Sequence, residues 1–304
     1  MKDLGAQGAK KWWWLGAVGL AMLVGLGVGV GVGVGVGVKQ RQAADARLLA
    51  AADAGEAVPV PHRLLGSRTV RVRPSIVVVG DGLTESAFSY KLGGWGSQLA
   101  GAYIRKADVI NRGFGGYFTN WFKDYMLDSL FDVANPVMGI LFLGTKDSQI
   151  QMAAGKAYTP PEQFGANLDA IITKGKAAGI KHWLLITPPP IYEPPGQQGP
   201  QPRTNANTKL YVDQIAALAA KHGALVLDIF SLWPQTAGWA EKYLNEDKLH
   251  LNAEGNARLF ADVTAIIKDR LPEMDPSQMA WQFPPMTEID KDNPGPAFAS
   301  VARR

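Results

Sequence analysis

The sequence predicts a three-layer α/β/α domain on a five-stranded parallel sheet. Two observations carry this: five short apolar runs that each stop at a small or polar residue, and amphipathic stretches of helical spacing between them. The runs are Ser75 to Val79 before Gly80, Ala107 to Ile110 before Asn111, and Val137 to Leu143 before Gly144. They continue with His182 to Ile186 before Thr187 and three prolines, and Ala224 to Leu227 before Asp228. Continuous apolar runs of this length suit strands buried on both faces.

The intervening segments read as helices. Phe164, Leu168, Ile171 and Ile172 share one face, with Gly179 as the stop. Leu210, Ile215 and Leu218 repeat the pattern before Gly223, and Leu259, Val263, Ile266 and Ile267 define a last helix. In such sheets ligands bind beyond the carboxyl ends of the strands.

Composition narrows the chemistry. Of 304 residues, 47% are apolar and 19% charged, enough for a sizeable core without metals or disulfides. There is no cysteine, which excludes disulfides, a thiol nucleophile and thiolate metal sites. The four histidines, His62, His182, His222 and His250, are too scattered for a zinc cluster, and no cofactor is implied. His182 and His222 read as surface residues, and Trp233, Trp239 and Trp281 as core or cleft-wall aromatics.

The N-terminal quarter differs in character. After a tail of residues 1–11, Trp12 to Val38 is a Gly/Val-rich run of 27 residues without a charge, opening on three tryptophans and flanked by lysines. As a helix it would reach about 40 Å, against a hydrocarbon core of about 30 Å. A single-pass transmembrane helix is the expectation, with its side and organelle open. A cleaved signal peptide has a shorter apolar region, and a disordered elastin-like tail is the remaining alternative. Residues 39–73 read as a linker and 74–304 as the globular domain. The net charge of +4 includes Arg63, Arg68, Arg71 and Arg73 near that junction. Such a cluster suits anionic headgroups, but without an aromatic platform it reads as a solvated linker. No nucleotide-binding glycine fingerprint or basic nucleic-acid surface is present, so nucleic acid is not an expected partner.

Polar clusters fall at the strand ends. They are Gly80-Asp81-Gly82-Leu83-Thr84-Glu85, Asn111-Arg112-Gly113-Phe114-Gly115-Gly116, Gly144-Thr145-Lys146-Asp147 and, before the last helix, Asp247-Lys248-Leu249-His250. These four blocks, in this order, resemble the SGNH (GDSL-type) hydrolases, and within them the isoamyl-acetate-hydrolysing esterase group. Supporting runs are Gly93-Gly94-Trp95-Gly96, Ile186-Thr187-Pro188-Pro189-Pro190, Arg203-Thr204-Asn205 and Phe283-Pro284-Pro285.

The resemblance implies a flavodoxin-like sheet and acyl transfer from short-chain, acetate-type esters to a serine. It assigns His250 as the base, Asp247 as the partner that orients it and Gly116 as a backbone oxyanion donor. It also places the nucleophile at Gly82 and the oxyanion asparagine at Lys146. Gly82 has no side chain to acylate, and the flexible ammonium of Lys146 is a poorly preorganised donor that can instead pair with Asp147. The expectation is a weak or inactive esterase domain that binds a small ester or acyl ligand. An active hydrolase using His250-activated water or Ser86, and a non-catalytic partner-binding membrane protein, are the alternatives. The retained Asp247–His250 pair also has a purely structural reading, capping the last helix and anchoring its loop. Gly80, Gly113 and Gly116 read as backbone turn positions.

Overall fold

The structure, a computed structural model, describes residues 72–299. The expected membrane span at 12–38 and nearly all of the linker lie outside the described residues. Among the described residues no helix is long and apolar enough to cross a membrane.

Five strands form the sheet: β1 (Ser75–Gly80), β2 (Asp108–Gly113), β3 (Pro136–Phe142), β4 (His182–Ile186) and β5 (Leu225–Leu227). Their order is β2-β1-β3-β4-β5, and every pairing is parallel. This is the flavodoxin-like order, which reverses direction between β1 and β3 and opens a crevice at their carboxyl ends. The three central strands are almost wholly buried, as their unbroken apolar runs require. Edge strands β2 and β5 depart from the expectation of two buried faces. β2 is half-exposed and runs three residues past Ile110 to Gly113, because pairing with β1 continues through the polar Asn111 and Arg112.

Side-chain alternation divides the core. Ile76, Val78, Ile140, Phe142 and Leu184 face α2 (Trp95–Ala102) and α5 (Ala253–Arg270). Val77, Val79, Leu141, Leu143 and Leu185 face α3 (Pro161–Ala177) and α4 (Asn205–His222). A four-residue turn, α1 (Gly82–Glu85), follows β1 directly. The α4 helix is capped by Thr204, whose hydroxyl accepts the Asn207 N–H, and stops at Gly223 in the left-handed region.

The aromatic and histidine expectations hold in part. Trp233 is fully buried and Trp239 packs against the same core. Trp281 is exposed and lies under the Arg105 and Lys106 side chains, a surface cation–π arrangement. His222 is not a surface residue: its side chain is 9% exposed and its Nε2 sits 2.6 Å from Asp169. Arg73 leaves the solvated linker, bonding Asp108 and Gln282 at the start of the sheet.

Candidate active site

The carboxyl ends of β1, β2 and β3 and the loop before α5 meet around a cleft of about 210 Å³. Gly82, Gly116, Lys146 and His250 all line it, and Asp247 stands immediately behind His250. All five residues assigned from the sequence are therefore brought together.

Asp81 knits the first and third strand ends. Its carboxylate accepts the Leu83 N–H at 3.2 Å, capping α1, and the Lys146 N–H at 3.2 Å. Burial pushes its pKa up, against the lowering effect of these two bonds. Gly80 and Gly113 are required by close approach rather than by a turn. A Cβ on Gly80 would fall 2.5 Å from the Phe142 carbonyl oxygen, and one on Gly113 would fall 2.2 Å from the Glu85 nitrogen. Gly116 is a left-handed position, at φ 81°. Its neighbour Gly115 donates to Glu85 at 2.6 Å, fixing the second strand's loop against α1.

The histidine loop is built as a closed ring. Leu244 and Leu251 form an antiparallel bridge, and the Asn245 N–H donates to the His250 carbonyl at 2.7 Å. Asn252 caps α5 by accepting the Gly255 N–H and donates its amide to the Lys242 and Leu244 carbonyls. Helix capping thus belongs to Asn252 and not to the Asp247–His250 pair. Asp247 does anchor the loop, since its Oδ1 accepts the N–H groups of Leu249 and His250, each at 3.0 Å. Its Oδ2 lies 2.5 Å from His250 Nδ1. Partial burial pushes the Asp247 pKa up, but the bonds from His250 and Leu249 outweigh it and hold the carboxyl below its ordinary value. An ionised Asp247 fixes the proton on Nδ1 and leaves Nε2 as the free basic nitrogen.

Gly82 sits opposite that nitrogen. A Cβ built on it would lie 3.7 Å from His250 Nε2 and 3.7 Å from the Gly115 Cα, both ordinary contacts. A side chain is sterically admissible at position 82. The backbone N–H groups of Gly82 and Gly116, both in the cleft lining, have no acceptor among the described residues.

Lys146 does not pair with Asp147. Asp147 is fully buried and accepts the Thr119 N–H at 2.9 Å and its hydroxyl at 2.7 Å, beneath the cleft floor. Burial raises its pKa to about 6 despite those bonds. Lys146 instead extends its ammonium to 5.0 Å from the Phe118 ring. Burial and the Arg203 charge lower its pKa, with Asp81 and Asp147 opposing. Ser86 is turned away: its hydroxyl donates to the Gly82 carbonyl at 2.9 Å, the i−4 bond of a helical serine.

Arg203 was not assigned to the site from the sequence. It lines the cleft, and its Nε donates to the Thr145 carbonyl at 2.6 Å. The cue was present, since Arg203 opens one of the runs that carried the resemblance.

A profile of the GDSL-like Lipase/Acylhydrolase family matches residues 78–258, which span all four blocks. The chain belongs to that family. It is 35% identical over 244 residues to a GDSL esterase/lipase of Arabidopsis thaliana, covering 75% of this chain and 98% of that protein. The mouse isoamyl acetate-hydrolyzing esterase 1 homolog is 30% identical over 233 residues, 73% of this chain and 90% of the mouse protein. Among solved structures, an acetyl xylan esterase aligns with a TM-score of 0.51 at 21% identity, covering 64% of this chain and 99% of its own. That similarity shows the shared SGNH fold.

Proposed function

We propose that this esterase-family domain binds a short acyl-type ligand in the cleft without serine acyl transfer, so that ester hydrolysis is weak or absent. One observation carries the reading: the position facing His250 Nε2 is Gly82, whose missing side chain leaves no oxygen to acylate. In serine hydrolases loss of the nucleophile costs about 10⁶ in turnover, leaving about 10³–10⁴ over water from the rest of the site. The acetate-ester class is suggested by the relatives named for isoamyl acetate hydrolysis.

A second reading has its own support. The Asp247–His250 pair is intact, and a water in the space beside Gly82 would lie within reach of Nε2. That route makes the domain a slow hydrolase dependent on His250. Ser86 is a poor substitute nucleophile because its hydroxyl is bonded to the helix backbone. We further propose that residues 12–38 tether the domain to a membrane, on the strength of their 27 uncharged residues. Turnover of p-nitrophenyl acetate by the full chain tests the main reading: it expects no His250-dependent hydrolysis, and turnover that disappears in His250→Ala establishes the water route instead.

A further inference from the structure

Two basic side chains, Lys146 and Arg203, line the cleft, and among the described residues neither is in an ion pair. Both are half-buried. Arg203 is held through its Nε alone, so its terminal guanidinium nitrogens have no acceptor among the described residues. Asp81 is the one carboxylate among the lining residues, and it accepts from backbone N–H groups. Asp147, buried and bonded to Thr119, also acts on Lys146, but among the described residues neither carboxylate forms an ion pair with the two cations. Like charges held together in a partly desolvated cleft are unfavourable unless an anion joins them.

Other lining groups add donors and space beside the apolar Leu83 and Leu249. The Gly82 and Gly116 N–H groups lack acceptors, His250 presents Nε2, and the volume of the missing side chain lies between them. A carboxylate has the matching shape. One oxygen fills the space at Gly82 facing His250 Nε2, while the other takes the two backbone N–H groups. Its charge then completes the Lys146–Arg203 pair through charge-assisted hydrogen bonds. A neutral ester brings neither the charge nor a second strong acceptor. The cleft is also smaller than the about 300–1,000 Å³ of pockets for drug-sized ligands, which favours a short acid.

We propose that this cleft is a binding site for a small carboxylate monoanion, of the acetate or propionate class, with Lys146 and Arg203 as its counter-charge. The proposal deepens the acyl-ligand reading above and rests on it.

Isothermal titration of the full chain in detergent, at fixed ionic strength, tests it with acetate, propionate, methyl acetate and inorganic phosphate. The expected result is acetate or propionate binding at least about tenfold tighter than methyl acetate. Lys146→Met should weaken acetate about tenfold and leave methyl acetate unchanged. If that variant does not fold, Gly82→Ala, which fills the oxygen's space, should weaken acetate in its place. Equal affinity for acetate and methyl acetate, binding of phosphate alone, or no carboxylate binding by the parent overturns the proposal. The esterase assay on the same samples separates the two readings. Turnover by the parent overturns the inactive-site reading, whereas silence without carboxylate binding overturns only the carboxylate site.

Discussion

A Cβ on Gly82 would stand 3.7 Å from His250 Nε2, at a backbone position that accepts one without strain. The site therefore lacks an atom rather than an architecture. Replacing Gly82 with serine should supply the nucleophile where Asp247 and His250 are already aligned. Gly82→Ser is expected to raise p-nitrophenyl acetate turnover at least about 10²-fold, short of the about 10⁶ that a complete triad serine supplies. The gain should vanish in Gly82→Ser/His250→Ala, measured as initial rates on matched preparations.

The resemblance implies Lys146 at the position of the oxyanion asparagine, and that reading gives the shortfall a cause. Adding Lys146→Asn to Gly82→Ser should return a neutral, fixed donor and raise turnover by up to a further factor of about 10²–10³. The effect should appear in kcat rather than KM, since the donor acts on charge that develops in the transition state. A change confined to KM would assign Lys146 to ground-state binding.

Glycines at the ends of β1 and β2 should respond differently to alanine. Gly82→Ala places a methyl group in ordinary contact and should change stability by less than about 0.5 kcal/mol. Gly113→Ala drives its Cβ to 2.2 Å from the Glu85 backbone and should cost about 1–3 kcal/mol or more. Urea unfolding of both variants gives the comparison.

Asp147 makes stability depend on pH. Its folded pKa of about 6 lies above the ordinary 3.8, so between those values the folded state holds a proton that the unfolded chain has lost. Stability should fall as pH rises through that window, by roughly 2–3 kcal/mol in total. Asp147→Asn keeps an oxygen for the two Thr119 bonds and removes the titration. Unfolding free energies of parent and variant across that range should differ in slope, with the variant flatter.

The central strands were legible in the sequence because burial on both faces leaves an uninterrupted apolar run, as in Val77, Val78 and Val79. Edge strand β2 was shortened at Ile110 because exposure on one side admits Asn111 and Arg112, which look like loop residues. The five assigned residues, read from blocks local in the chain, come together at one cleft. Arg203 was missed as a site residue because its place depends on a loop that returns 58 residues later to bond Thr145. His222 was misread for the same reason, its partner Asp169 lying 53 residues earlier. Gly80 and Gly113 were taken for turns because close backbone approach leaves the same glycine in a sequence as a left-handed bend does.

The central claim is that no hydroxyl stands beside His250. Intact-mass analysis after treatment with a fluorophosphonate tests it most directly. The unaltered full chain should carry no adduct, and the Gly82→Ser form should gain one adduct at position 82. An adduct on any residue of the unaltered protein, lost in His250→Ala, would contradict it.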